Sequence, residues 1–421
     1  MRQLLITLTL AFLAMPAVAQ QSTLQQGTFK SFDKEKGLVT VTTANGVDIE
    51  CAIVPQTMLK NEKGQPLANF REKGLPAGTR VLFMVRKRDG KNVLAGLKLR
   101  GLTGDSRPNV PPPPTPRKSI GVKPLTELSD GEYKGQSGGL YGNGSNDPPE
   151  AQQAAAKTAA ARIVPRDANG KPSPDGKIGL LGIGMSNTTQ EFSTFMKLAQ
   201  ADPDRSPNVA IVDVAQGGKA SEQWIDPNSN VGKQVWQTVT QRMKSANVSD
   251  QQVQVVWIKQ AIMGQARYGE FPAHAKKLES DLVTTLQLLK TRFPNLQIAY
   301  LSSRIYAGYA TTSLNPEPYA FEGAFSIRWI IDAQVGGDAK LNADPTKGDT
   351  KAPVVLWGPY LWGDGITPRA DGLVWNRDDL VERDGTHPSE SGRRKVADLL
   401  MKFFHTDPYA TTWYLKPHGG D

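Results

Sequence analysis

Hydrophobic and polar positions divide the chain into two parts with different periodicities. Between about residues 24 and 101, short runs alternate apolar and polar residues and are separated by Gly, Asn and Asp turns. This pattern predicts five short strands, at 27–33, 38–43, 47–54, 79–85 and 92–99. Several short strands at such spacing are typical of a small all-β barrel or sandwich.

From Gly176 onward, apolar runs alternate instead with segments of helical spacing. The apolar runs predict strands at 178–183, 208–214, 253–259, 296–302 and 353–357. The helical spacing predicts helices at 188–201, 232–246, 272–292, 318–334 and 389–404, with an alanine-rich helix before them at 151–162. Apolar strands joined by helical crossovers imply a parallel sheet that is covered on both faces.

These patterns predict two domains. Over 151–410 we expect a flavodoxin-like doubly wound α/β domain with a five-stranded parallel sheet. Over 24–101 we expect an OB-like barrel, whose pattern favours a spacer or packing module over a ligand site. Between them, 102–150 has the composition of a linker and an irregular surface lead-in, with a stiff polyproline run at Pro111–Pro114.

The first nineteen residues have the pattern of a secretory signal peptide. Arg2 precedes the apolar stretch Leu4–Ala14, and Ala17-Val18-Ala19 form a small-residue cleavage site. The stretch is too short to span a membrane, and no later stretch is long and apolar enough. We therefore expect an exported protein, either periplasmic or extracellular. Its single cysteine, Cys51, cannot form an intramolecular disulfide and lies in a strand-like run.

Composition excludes some partners and cofactors. Lys and Arg number 50 against 41 Asp and Glu, and the resulting net charge of +9 is mild for the length and spread out. No stretch interleaves basic and aromatic residues as nucleic-acid surfaces do, so no nucleic-acid partner is expected. No two of the four histidines have metal-ligand spacing. We therefore expect neither a metal nor another cofactor.

The turn Gly184-Met185-Ser186-Asn187 is the first candidate for chemistry. It joins a predicted buried strand to a predicted helix, so Ser186 lies at the carboxyl edge of the sheet and beside a helix N-terminus. Open α/β sheets bind ligands at that edge, and a helix N-terminus favours developing negative charge. Taken alone, Ser186 is better explained as a helix cap, which is the commoner role of serine there.

Three other strand ends or turns add polar groups. Gly217 and Gly218 follow the second strand of the sheet, and paired glycines allow a backbone N–H to approach a ligand. Gln260 follows the third strand. Near the C-terminus, Asp384 precedes His387 by three residues at a helix start, a spacing that lets the carboxylate hold the imidazole Nδ1–H.

Together these segments resemble the SGNH (GDSL-like) hydrolase family over roughly 176–405. The resemblance implies that Ser186 is the nucleophile, with Asp384 and His387 as its Asp-x-x-His partners. It also implies an oxyanion-hole glycine at Gly218 or Gly217. The Ser-Asn version of the first motif is similar to carbohydrate acetylesterases of the sialate/xylan type.

One motif departs from the family pattern. The family commonly has Gly-x-Asn-Asp after the third strand, and this chain has Lys259-Gln260-Ala261-Ile262. Gln260 either replaces the asparagine with a longer carboxamide or leaves that oxyanion donor missing.

Residues beside the catalytic edge are candidates for substrate binding, namely Asn187, Arg304, Trp357 and Trp362. Aromatic faces near a hydrolytic serine suit sugar rings, although the same tryptophans are equally explained as loop packing. We therefore expect an exported serine esterase that removes acyl groups, acetyl above all, from a carbohydrate. The alternative is a non-catalytic glycan-binding or envelope-interaction protein on the same fold. The sequence leaves the oligomeric state open.

Overall fold

The computed structural model describes residues 24–43, 47–61, 65–67, 69–88, 90–99 and 115–417. The chain separates into two compact units, 1–107 and 108–421. The predicted signal peptide and the polyproline run lie outside the described residues. Within the described part, no helix combines the length and the hydropathy needed to cross a bilayer.

The first unit is a closed five-stranded barrel, as the alternating pattern predicts. Its strands pair in the order β1-β2-β3-β5-β4, and β4 returns to β1. Every strand pair is antiparallel except β3 with β5. The elements are β1 (Leu24–Asp33), β2 (Leu38–Thr43), β3 (Asp48–Lys60), α1 (Phe70–Lys73), β4 (Arg80–Arg88) and β5 (Lys91–Leu99). Alternate residues face inward and form a core that includes Phe29, Phe70, Phe83 and Cys51.

The second unit is built on a five-stranded parallel sheet. Before it come a short hairpin and one helix: β6 (Glu132–Tyr133), β7 (Gln136–Ser137) and α2 (Glu150–Ala161). The sheet strands are β8 (Ile178–Gly184), β9 (Val209–Asp213), β10 (Val253–Lys259), β11 (Ile298–Leu301) and β12 (Val354–Trp357). The longer helices between and after them are α3 (Ser186–Ala201), α4 (Asn230–Ser245), α5 (Ala273–Arg292), α6 (Tyr319–Val335) and α7 (Glu390–Thr406), followed by α8 (Thr411–Tyr414).

The strand order is β12-β11-β10-β8-β9, and all neighbours are parallel. Counted within this sheet alone, the order is 2-1-3-4-5, which is that of flavodoxin-like doubly wound sheets. Every residue of β8 and β10 is buried, so both faces of the sheet are covered. The chain reverses its winding between β8 and β10, and ligands of such sheets bind outside that point.

The segment before α2 is more than a surface lead-in. Leu125 is fully buried, and the backbone N–H groups of Ile120 and Gly121 donate to Asp364 at 2.6 and 2.9 Å. Tyr133 donates to the buried Glu322 of α6 at 2.7 Å. These contacts correct the expectation of a surface segment, because they bind residues 119–137 to the same unit as the sheet, while most of the segment has no regular secondary structure.

Candidate active site

The turn between β8 and α3 holds Ser186 at the carboxyl edge of the sheet. Gly184 is required there because a β-carbon on it would lie 2.3 Å from both the Lys259 carbonyl oxygen and Thr188 Oγ1. The tight approach lets α3 begin immediately, at Ser186 itself. Ser186 Oγ lies 2.8 Å from Nε2 of His387, which is 201 residues away in the chain.

The loop before α7 presents His387 to that serine. Asp384 Oδ2 lies 2.9 Å from His387 Nδ1, and Oδ1 accepts the backbone N–H groups of Thr386 and His387 at 2.9 and 3.0 Å. Burial by itself would raise the pKa of the Asp384 carboxyl, but these hydrogen bonds outweigh it and hold the pKa below its usual value. Asp384 is therefore an ionised carboxylate that keeps the proton of His387 on Nδ1 and leaves Nε2 free to accept from Ser186.

Gly385 makes this loop possible. Its φ of +56° is in the left-handed region, and a β-carbon would lie 1.9 Å from the carbonyl oxygen of Tyr309. The His387 side chain is 20% exposed, so a substrate can reach it. The structure therefore brings Ser186, His387 and Asp384 together in the predicted arrangement.

The turn of Ser186 and the loop after β9 contain free backbone donors. A β-carbon on Gly217 would lie 3.9 Å from Ser186 Cβ, so the loop after β9 passes directly beside the serine. Gly218 has a φ of +71°, which turns the chain there. Among the described residues, the N–H groups of Ser186, Gly217 and Gly218 have no hydrogen-bond partner. Free N–H groups beside a nucleophilic oxygen are the donors that an oxyanion hole needs.

Gln260 lies next to this loop. Its Nε2 is 3.4 Å from the carbonyl oxygen of Lys219, a long contact, and its Oε1 accepts the N–H of Ala261 at 3.3 Å. The loops after β9 and β10 are also joined by the Ser221 N–H, which donates to the Ala261 carbonyl at 3.0 Å. The carboxamide is thus held near the loop of Gly218, and these two long contacts are its only hydrogen bonds to the residues that the structure describes.

The four residues expected to bind substrate have other contacts. Asn187 is 2% exposed, and its Nδ2 donates to the Thr386 carbonyl at 2.9 Å, so it holds the histidine loop against α3. Trp362 is fully buried and donates to Glu317 at 2.8 Å, and Trp357 donates to the Leu140 carbonyl at 2.8 Å. These contacts correct the expectation that the three side chains contact a sugar.

Arg304 is also buried. It is 4% exposed, and its Nε donates to Asn315 Oδ1 at 3.1 Å. With Gln260 it borders a cavity of about 10 Å³, which has room for a single water molecule. The cavity is too small for a sugar, so the expected substrate contact at Arg304 is corrected as well.

The sequence does not predict one feature next to the serine turn, a buried ion pair. Lys259 at the end of β10 and Glu191 of α3 form a salt bridge, and both side chains are fully buried. Burial lowers the pKa of Lys259 to about 8, and the attraction of Glu191 only partly offsets it. Each of the two segments has a charged residue within an apolar pattern, which indicates a buried charge. The pattern does not predict that Lys259 and Glu191 are in contact.

Asp213 gives a testable pH dependence near the oxyanion loop. Burial raises the pKa of this carboxyl to about 6, although Thr189 and the Ala215 N–H donate to it. A raised native pKa means that the folded state holds the proton more tightly than the unfolded state. The contribution of Asp213 to folding stability therefore falls as the pH rises from about 4 to about 6.

We expect Asp213→Asn to remove this decline. The asparagine keeps the acceptor for Ala215 and stays neutral, so its stability relative to wild type should increase by up to about 3 kcal/mol between pH 4 and pH 7. Urea unfolding of both proteins across that range measures the difference. Parallel stability curves would show that Asp213 titrates at its ordinary value.

The described residues contain no group of three or more His, Cys, Asp and Glu side chains that could hold a metal ion. No protein-family model and no curated protein sequence matches the chain.

Three solved structures are similar to parts of the chain. A candidate SGNH hydrolase from Slackia heliotrinireducens has 18% identity over 54% of this chain and 100% of its own, with a TM-score of 0.29. The periplasmic domain of a lipopolysaccharide acetyltransferase from Salmonella ser. Paratyphi A has 14% identity over 62% and 97%, with a TM-score of 0.30. Apo-CusF from Escherichia coli has 18% identity over 21% and 100%, with a TM-score of 0.16. At these TM-scores the likenesses carry no conclusion about function.

Proposed function

We propose that this protein is a serine esterase of the SGNH hydrolase type. The observation that carries the proposal is the continuous chain of contacts from Ser186 Oγ to His387 Nε2 at 2.8 Å and from His387 Nδ1 to Asp384 at 2.9 Å. Nucleophile, base and orienting carboxylate in this order define acyl transfer by a Ser-His-Asp mechanism. Their positions at the carboxyl edge of a doubly wound sheet support it further.

The chemistry follows from the contacts. Ser186 Oγ attacks the ester carbonyl while Nε2 of His387 takes the hydroxyl proton, and Asp384 stabilises the imidazolium that forms. His387 then gives the proton to the alcohol as the ester bond breaks. The alcohol departs, and the acyl group stays bound to Ser186. Water, activated by the same imidazole, attacks this acyl-enzyme and releases the carboxylic acid.

The oxyanion of each tetrahedral intermediate needs donors in place. In the proposed site these are the free N–H groups of Ser186 and Gly218, with Gly217 beside them and Gln260 as a further donor. Donors that are fixed before the reaction stabilise charge without reorganising, and each is worth roughly a hundred- to a thousandfold in rate.

The substrate and the domain roles are part of the proposal. From the motif Gly184-Met185-Ser186-Asn187 we infer that the substrate is an acylated, above all acetylated, carbohydrate. From the leader-like first nineteen residues we infer that the enzyme is exported. The organisation that goes with this is a signal peptide, a barrel, a linker and a hydrolase domain. Trp357 is 4% exposed and Trp362 is fully buried, so neither gives the carbohydrate a stacking surface, and we assign its binding to other groups at the edge of the site.

Two features favour the alternative of a non-catalytic binding protein, namely the Gln260 departure from the family motif and the added barrel. The two hypotheses predict different reactivities of Ser186. Incubation with a serine-directed organophosphate should label wild type at Ser186, with hydrolysis of p-nitrophenyl acetate lost in step. A protein that is neither labelled nor active on small esters would overturn the esterase proposal and favour the binding protein.

Gln260→Ala tests the oxyanion donor. If the carboxamide stabilises charge that develops only in the transition state, its loss should lower kcat by about a hundred- to a thousandfold and leave KM nearly unchanged. Gln260→Asn serves as the matched variant, since it retains the amide on a shorter chain. Steady-state kinetics and thermal midpoints measured on the same preparations separate this effect from a loss of folding. An unchanged kcat in the alanine variant would show that Gln260 only holds the loop after β10.

A further inference from the structure

The net charge is concentrated in the barrel, which corrects the expectation that it is spread out. Residues 24–101 contain fourteen Lys and Arg against seven Asp and Glu, whereas residues 115–421 contain thirty-four against thirty-three. The sheet-containing unit is therefore almost neutral, and the barrel supplies most of the excess positive charge. Charge confined to one unit attracts oppositely charged partners to that unit.

The densest part of this charge is the end of the β4–β5 hairpin. Arg86, Lys87, Arg88 and Lys91, here called the basic hairpin, are all exposed. Arg88 is paired with Lys91 across the two strands, and Arg86 lies two residues before Arg88 on the same face. Like charges directly opposite each other in an antiparallel pair destabilise it.

No described ion pair neutralises the basic hairpin, although the sequence has one acidic residue, Asp89, between Arg88 and Lys91. The described ion pairs of the barrel join Lys30 to Asp48 and Lys36 to Asp33, and none includes a residue of the basic hairpin. A second pair of like charges, Lys60 beside Lys98, lies on neighbouring strands near the other end of β5, and both side chains are exposed. Along β5, Lys91 and Lys98 are about 23 Å apart at the usual rise per residue.

We propose that the barrel binds an anionic polysaccharide through the basic hairpin. Two cationic pairs spaced along one strand fit a long, repeating polyanion, which contacts several charges at once. That this polymer is also the substrate of the esterase rests on the proposed function. That the barrel binds the polymer does not.

Other polyanions fit this surface less well. Proteins that lie on lipid surfaces combine basic residues with apolar side chains that enter the bilayer, and the described basic hairpin has none. Single-stranded nucleic acids are bound with aromatic side chains on which bases stack, and the exposed large hydrophobic residues of the described barrel are Val47 and Met58. A soluble acidic polymer needs neither group.

The test uses the full chain and polygalacturonate as the probe. Binding is measured by calorimetry at low salt, with neutral dextran as the control polymer. We expect the triple change Arg86→Gln, Arg88→Gln and Lys91→Gln to weaken the affinity about tenfold or more, the sum of three exposed charge contacts. The charge-conserving change Arg86→Lys, Arg88→Lys and Lys91→Arg should keep the wild-type affinity. Added salt should weaken wild-type binding.

A matched control removes the same number of charges elsewhere. Lys197, Lys233 and Lys244 are exposed on helices of the other unit, and changing all three to Gln should alter the affinity less than about twofold. Amide hydrogen exchange in β4 shows whether each variant keeps the barrel folded. An equal loss in the control, binding to dextran as strong as to polygalacturonate, or binding only to phosphatidylglycerol vesicles would each overturn the proposal.

The outcome is separable from the proposed function. Hydrolysis of p-nitrophenyl acetate should be unchanged in the basic-hairpin variants, because they alter no residue of the unit that contains Ser186. A variant that loses polymer binding but keeps full activity on small esters has a defect in the barrel site alone. An inactive Ser186 site with intact polymer binding would refute the esterase and leave the anionic-polymer site standing.

Discussion

Ser186→Ala is expected to lower kcat on p-nitrophenyl acetate by roughly ten-thousandfold or more while the protein stays folded. The reason is the loss of the oxygen that contacts His387 Nε2, on a serine that lies next to the loop of Gly217. His387→Ala should cost about as much, because without its base the hydroxyl is a weak nucleophile.

The double variant makes the prediction more specific. Residues that act as one unit have non-additive effects, so Ser186→Ala with His387→Ala should be hardly slower than either single change. Thermal midpoints within a few degrees of wild type serve as the control for folding. Activity of Ser186→Ala within about tenfold of wild type would show that another group is the nucleophile.

Lys259→Met is expected to have the largest effect on stability. The change leaves Glu191 as an unpaired charge in a fully buried position, because the salt bridge is 0% exposed on both sides. Breaking such a pair by removing one partner costs about 3–5 kcal/mol. One carboxylate oxygen of Glu191 already lacks a hydrogen-bond partner among the described residues, and the buried Arg304, whose charge also acts on Glu191, donates to Asn315 instead.

A matched double variant separates the pair from the cavity that the change creates. Glu191→Leu with Lys259→Met removes both charges and keeps similar volumes, and buried pairs replaced in this way are often neutral or more stable. Urea unfolding should therefore place the double variant well above the single one. A single variant that loses less than about 1 kcal/mol would mean that the pair is hydrated rather than buried.

Sequence pattern alone determined the elements of the sheet unit and the order of its chemical groups. The strands Ile178–Gly184 and Val253–Lys259 are mostly apolar, and such runs have few alternatives to burial in a parallel sheet. Ser186 follows the first of them at a turn that needs glycine, and Asp384 precedes His387 by a local spacing. Local backbone geometry is enough to predict groups like these.

Only the tertiary structure decided which side chains meet across the chain. Asn187 and Trp362 have the residue types of a sugar site, yet each is buried against a partner more than 40 residues away. The Glu191–Lys259 pair and the contacts of residues 119–137 with the sheet unit also join distant parts of the sequence. Because exposure and partner choice depend on how helices and loops pack on the sheet, no local pattern could have predicted them.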